Sequence, residues 1–377
     1  MNARLAAILA VLGALLLGSA WLYYGEQRAR VASNVGTLGQ PLLPGLKAAE
    51  VAAIRIREPE ATLTLEQKDG RWTIAERNGF HASHDRVRDF LLLAIALRIG
   101  QSEPIGEADR ARLKLDAAGP GMGTVVEFLD AAGKPLASLT AGANYFRKPP
   151  ADAAKAKADG RFVMRPQDPK TVYTVSDPLA QASAKSAGWI DTKGIVAERI
   201  KSLEVRPADG EGWKIARPDE NTDWTFNVPP PPGMNFMVTR GNAASYSLTL
   251  LELADVAPPG LTPAQTGLDA PTVVVARSFD GLTYTLNIGK PEGSRHYVSV
   301  AVEGTPSKAP RVPAADEKPE EREKRDKEYA DTLARLDARL PHEQGLAKHV
   351  LLIERLRLED VLRKRSEFFE KTEAPKK

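Results

Sequence analysis

The chain has 377 residues, a net charge of +3 and no cysteine. The absent thiols exclude disulfides, thiolate zinc sites, cysteine nucleophiles and a lipobox anchor. The near balance of 52 basic against 49 acidic residues leaves no basic excess to line a nucleic-acid groove.

The first element is LAAILAVLGALLLGSAWLYY, Leu5 to Tyr24, which holds no acid, base or amide. At about 1.5 Å per residue, twenty helical residues cross roughly 30 Å, one hydrocarbon core. Residues 1–24 therefore read as a transmembrane anchor, with Trp21, Tyr23 and Tyr24 at the headgroup boundary. A cleaved signal peptide is the competing reading, because Gly18-Ser19-Ala20 follows a passable apolar core. Cleavage there would leave Trp21 first in the mature chain. Arg4 on one side and Arg28 with Arg30 on the other do not decide orientation. A short basic leader ordinarily leaves the long C-terminal body outside the cytoplasm. The expected location is the inner membrane, single-pass, with a periplasmic body.

Residues 25–46 read as a juxtamembrane linker broken by Gly36, Gly39, Pro41, Pro44 and Gly45. Residues 47–176 carry a first α+β repeat. Val51, Ile54 and Ile56 lead into the alternating Thr62-Leu63-Thr64-Leu65, a turn at Asp69-Gly70, and a strand Arg71–Ile74. Ser83 stands where an N-cap is needed, with Asp85 in the first turn. Val87, Phe90, Leu91, Ala94, Ile95 and Arg98 predict a helix of roughly fifteen residues. Strands at Thr124–Leu129 and Leu136–Thr140 follow, joined at Ala132-Gly133. Residues 177–196 are predicted as a connecting helix, Pro178 to Gly188, and a linker.

Residues 197–304 repeat the order. Ile54 and Ile56 correspond to Leu203 and Val205, Trp72-Thr-Ile74 to Trp224-Thr-Phe226, and Leu115-Asp116 to Leu268-Asp269. Val125-Val126 corresponds to Val273-Val274, and Leu139 with Gly142 to Leu286 with Gly289. Five matches in register predict a domain duplication, since solenoid units are much shorter. Arg147 to Gly160 reads as an exposed polar loop, and Pro229 to Pro232 as a stiff polyproline II linker.

Residues 305–328 read as a charged, proline-containing linker whose early part is disordered. Residues 329–371 read as C-terminal amphipathic helices. Tyr329, Leu333, Leu336 and Leu340 form the first stripe, which Pro341 should break. Leu346, Val350, Ile353, Leu356 and Val361 form the second. Such helices need a surface to cover, either the body or a partner.

The whole pattern joins an anchor, Gly70-Arg-Trp72-Thr-Ile74, Asp85-x-Val87-x-x-Phe90-Leu91, Leu113-x-Leu115-Asp116 and Val126-Glu-Phe128-x-Asp130-x-x-Gly133. It resembles a family of membrane-anchored bacterial proteins encoded beside gliding-motility-type ABC-transporter genes. The resemblance covers roughly residues 1–300. It implies an extracytoplasmic accessory role near a transporter and assigns no catalytic residue.

Chemical motifs are sparse. His81-Ala-Ser-His84-Asp85 is the best metal candidate, but a polar helix start explains it better. There is no G-x-S-x-G elbow. Gly119-Pro-Gly-Met-Gly123 lacks the Lys-Ser/Thr of a phosphate loop and reads as a turn. His296, His342 and His349 are given no role. Trp72 and Trp224 could form paired ligand platforms, although core packing is the preferred role. The expectation is an α+β protein with an N-terminal transmembrane helix, two related antiparallel-sheet-plus-helix units and a C-terminal helical tail. No catalytic, metal or cofactor residue and no cofactor is assigned. The partners expected are the membrane and ABC-transporter subunits, with no nucleic acid. The expected function is a non-enzymatic accessory or scaffold. A module binding a solute, glycan or peptide, and a hydrolase, are the alternatives.

Overall fold

Alternation shapes the first sheet: Ile54 and Ile56 are fully buried, while Arg55 between them is exposed. The computed structural model describes residues 19, 36–148, 150–152, 155–306, 311, 313 and 317–372. The predicted anchor and the start of its linker lie outside the described residues, apart from Ser19. Among the described residues no helix is long and apolar enough to cross a membrane. The chain forms two compact units, Met1–Glu76 with His81–Trp189, and Arg77–Phe80 with Ile190–Lys377. Two large antiparallel sheets with helices make an α+β architecture.

The first sheet and the helices near it comprise β1 (Ala53–Glu58), β2 (Ala61–Lys68), β3 (Arg71–Ile74), β4 (Phe80–His81), α1 (His84–Ala96), β5 (Gln101–Pro104), α2 (Glu107–Arg112), β6 (Thr124–Leu129), β7 (Pro135–Tyr145), β8 (Gly160–Arg165) and β9 (Asp168–Val175). The sheet runs β4-β3-β2-β1-β6-β7-β8-β9-β5. Ser83 caps α1, its side chain accepting from the Arg86 N–H at 3.4 Å. Val87, Phe90, Leu91 and Ala94 are buried, and Phe90 stacks on Phe128 of β6 at 6.1 Å. The helix stops short of Arg98 because Leu97 turns extended and its carbonyl accepts from the Leu42 N–H. The end of the predicted linker is thereby part of the first unit, with Leu42, Leu43 and Leu46 buried.

The connecting helix predicted within residues 177–196 is not formed. One 3-10 turn, Ser186–Gly188, is the only helical piece there. Leu179, Ala182, Ser186 and Trp189 are buried at spacings a helix could supply, but Ala184 is buried too, off the face they would share. Leu179 takes a left-handed φ of 52°. Trp189 packs edge-on against Phe90 at 5.2 Å and donates from Nε1 to the Ser183 carbonyl. Burying one indole outweighs the helix propensity of the alanines.

The second unit contains β10 (Ile200–Arg206), β11 (Trp213–Ala216), β12 (Thr225–Phe226), β13 (Met234–Phe236), α3 (Val238–Tyr246), β14 (Asp255–Val256), α4 (Pro263–Thr266), β15 (Thr272–Ser278), β16 (Thr283–Glu292), β17 (Arg295–Glu303), α5 (Pro319–Gly345), β18 (Leu351–Glu354), α6 (Arg355–Leu358) and β19 (Phe369–Lys371). The order β12-β11-β10-β15-β16-β17-β18-β14 repeats the first sheet strand for strand from β3 to β5. The register repeats as well. Ile54 faces Phe128 and Ile56 faces Val126; Leu203 faces Ala276 and Val205 faces Val274. Val126 then faces Leu139, and Val274 faces Leu286. Both helix starts are tied alike. The Ser83 N–H donates to the Trp189 carbonyl at 2.7 Å, and the Met237 N–H to the Phe368 carbonyl at 2.9 Å.

Two glycines are demanded at matching places. A Cβ on Gly142 would lie 2.3 Å from the Leu113 carbonyl, and one on Gly289 would lie 2.2 Å from the Thr266 carbonyl. In each unit the chain leaving the short helix crosses the strand there. Alanine at Gly289 should cost about 1–3 kcal/mol through overpacking. Its effect should be confined to the second unit, read by hydrogen exchange. Uniform loss across both units would contradict that placement.

The chain beyond residue 304 departs from expectation. Instead of a linker to 328, α5 starts at Pro319, which suits a first helical turn, with Glu320 and Glu321 at the positive end. Pro341 does not break it. This proline is exposed and removes one backbone hydrogen bond near the helix end. The second predicted helix is largely replaced by β18, which pairs with β17 and β14. Leu351, Leu352 and Ile353 are consecutive and buried, as a strand enclosed on both faces requires. The second sheet is therefore completed beyond residue 304, and α5 is an insertion between β17 and β18. At the same place in the first unit, β8 and β9 are joined by Pro166-Gln167 alone.

Candidate functional site

An open cleft of about 560 Å³ lies in the second unit between α3 and the start of β10. Asn242, Ser245 and Thr249 form a stripe along α3 and the turn after it, at helical spacings of three and four. Their side chains make no hydrogen bond among the described residues. Tyr246, 79% exposed, and Leu250, 57% exposed, stand four residues apart beside them.

The opposite wall carries Glu198, Arg199 and Arg217. Arg217 lies 4.6 Å from the Trp224 ring centroid. It donates from Nε to the Ile200 carbonyl at 2.9 Å and from Nη1 to the Glu220 carbonyl at 3.0 Å. Arg199 bonds Glu220 at 2.7 Å and also Asp280. The hydrogen bond to Glu220 holds the Arg199 guanidinium further above its ordinary range, and burial pushes the Asp280 carboxyl up.

A charged anchor connects this wall to α5. Arg339 donates to Glu198 at 2.9 Å and to the Val196 carbonyl at 2.8 Å. The Val196 N–H donates to Glu343 at 3.1 Å. Glu343 is 1% exposed, and its Oε2 is buried without a hydrogen-bond partner. Burial pushes the Glu343 carboxyl up, against the pull of the Arg339 guanidinium 3.3 Å away. Burial likewise pushes the Tyr284 phenol up to about 12, and its hydroxyl donates to the Val196 carbonyl at 3.4 Å. That phenol remains a donor at neutral pH.

The first unit shows what the cleft replaces. With Ser83 and Met237 both at helix starts, Leu91 corresponds to Ser245, Leu92 to Tyr246 and Ile95 to Thr249. Leu91 is buried, and the 3-10 turn Ala48–Glu50 packs against α1. Residues 197–199, at the matching place before β10, form no such turn. Ser245 and Thr249 stand where the first unit has Leu91 and Ile95, while Asn242 matches the exposed Arg88.

The residues singled out from sequence do not converge here. His81 lies on β4, while His84 opens α1, exposed. Asp85 pairs with Arg88 at 2.8 Å. Among the described residues no group of three His, Cys, Asp or Glu could hold a metal ion. Trp72 and Trp224 are both buried, so neither offers an open platform. His342 shares a hydrogen bond with the Lys193 carbonyl, and His296 one with the Gly289 carbonyl. Two cleft residues carried a signal in the sequence, the exchange of Leu91 and Ile95 for Ser245 and Thr249 along the repeated helix. Met237, a poor capping residue, hid the register needed to see it.

No curated protein and no solved structure matches the chain. Residues 72–271, more than half of it, match the domain of unknown function DUF4340, a span that includes α1, α3 and both walls of the cleft. The chain belongs to the DUF4340 family.

Proposed function

We propose that this protein is a non-enzymatic, membrane-anchored accessory subunit whose units stand outside the cytoplasm beside an ABC-type transport assembly. We also take the two units to be copies from a duplication, one kept as scaffold and the other opened for contact. The observation that carries the reading is the cleft of the second unit. It presents unbonded polar side chains and an exposed apolar rim, which suits holding a partner. The apolar run Leu5–Tyr24 and the resemblance to transporter-linked proteins supply the address. Tethering raises the effective concentration of that surface near a membrane partner.

Crosslinking in intact membranes, with identification of the partner, tests this. Transporter subunits should be recovered in fixed stoichiometry, and a reporter fused at Lys377 should be active only outside the cytoplasm. Cytoplasmic activity, or crosslinks that omit transport subunits, would overturn the reading. A second reading, capture of a solute, glycan or peptide, is favoured by the volume of the cleft, which falls in the range of ligand sites. A small-molecule-dependent rise in melting temperature would support it instead.

A further inference from the structure

We infer that the cleft of the second unit docks a peptide segment of a partner protein in which an acidic residue stands beside an apolar one. This rests on reading the chain as a docking protein, and it names the chemistry of the partner.

Charge selects the acidic residue. Arg199 is answered by Glu220 and Asp280, and Arg339 by Glu198 and Glu343. Arg217 bonds only carbonyl oxygens and lies over the Trp224 ring. Among the described residues it is the cation lining the cleft with no carboxylate in ion-pair contact; Asp219, whose bonds go to Thr222 and the Asn221 N–H, acts on it only through its field. Its planar fork suits a carboxylate, and a wall shared with Trp224 strengthens the pairing over one in open water.

Shape and polarity select a peptide. The Asn242 amide both donates and accepts, as a backbone amide does, and the Ser245 and Thr249 hydroxyls do the same. These groups line one helical stripe facing the cleft, so an extended backbone laid along it finds successive partners. Tyr246 and Leu250 stand beside that stripe, exposed, and suit an apolar side chain. A sugar ring could stack on Tyr246 but would gain little from the aliphatic Leu250. The first unit serves as an internal control, since Leu91 is buried at the position of Ser245.

The test uses the full chain in detergent micelles, immobilised and offered a random twelve-residue peptide library. Enriched peptides should share an Asp or Glu next to a large apolar residue. Changing that acid to its amide should weaken binding by roughly tenfold to a hundredfold in fluorescence anisotropy, the range for a charge-assisted bond. Arg217→Gln should produce the same loss and abolish the preference for acid over amide. Because Arg217 packs on a buried ring, Tyr246→Ala provides a variant at an exposed position. It should weaken the peptides severalfold with no change in melting temperature. Enrichment no greater than on an Arg217→Gln/Tyr246→Ala double variant would overturn the proposal. So would enriched peptides without an acid, or binding of a uronic-acid disaccharide in place of any peptide. Peptide binding without crosslinked transport subunits would sink the transport reading alone. A crosslinked subunit whose yield ignores both substitutions would sink the cleft alone.

Discussion

A chain cut after Gly304 should keep its first unit folded and lose the second. The cut removes β18 and β19, and with them Leu351, Leu352, Ile353, Leu358, Val361, Phe368 and Phe369, all buried. At about 1.5–3 kcal/mol for each fully buried side chain, the loss is on the order of 10 kcal/mol or more. That matches the whole stability of a typical domain, about 5–15 kcal/mol. It also strips the partner strand from β17 and opens a long sheet edge. Fluorescence quenching should show Trp213 and Trp224 exposed while Trp72 and Trp189 remain protected. Hydrogen exchange should lose protection from β10 onward and keep it in β1 to β9. A truncated chain with a native second unit would mean that the segment after Gly304 is a dispensable tail.

Arg339→Leu should destabilise the second unit by about 3–5 kcal/mol at neutral pH, because it leaves Glu343 buried without its cation. The pH dependence identifies the cause. Burial raises the folded pKa of Glu343, and removing the guanidinium raises it further. A carboxyl with a raised folded pKa contributes stability below its unfolded pKa, and that contribution is lost as pH rises through the folded value. The deficit of the variant should therefore be largest on the alkaline side and shrink as acid protonates Glu343. Thermal melting of wild type and variant across mildly alkaline to mildly acidic pH measures this. Adding Glu343→Gln, which keeps an acceptor for the Val196 N–H, should recover most of the loss. A deficit independent of pH and unrelieved by the second change would assign the effect to packing of the Arg339 stem.

Much of the fold was legible residue by residue. Ile54, Ile56, Val126 and Leu139 were matched with Leu203, Val205, Val274 and Leu286 by pattern, and the two ladders place each set in the same register. A strand with one buried face repeats its side chains every two residues, so its register is written locally. Gly142 and Gly289 were matched likewise, and both mark a backbone crossing with no room for a side chain. The cleft was hardly legible. Ser245 and Thr249 are ordinary surface residues until α3 is aligned with α1, and Arg217 gains meaning only from its carbonyl partners and Trp224.

The sequence alone determined the repeated order of strands, the capped helix of the first unit and the apolar run at the N-terminus, because each is a local periodicity or a local hydrogen bond. Only the tertiary structure decided the rest. Val350 to Ile353 lies on a helical stripe in the sequence, yet Leu351–Glu354 is a strand because β17 offers unpaired backbone groups on that side. The run from Pro178 to Gly188 is not a helix because Trp189 is drawn onto Phe90. Helix α5 is pinned by Glu343 to a backbone N–H far away in the chain. Short apolar runs are compatible with more than one backbone geometry, and the surface that buries them makes the choice.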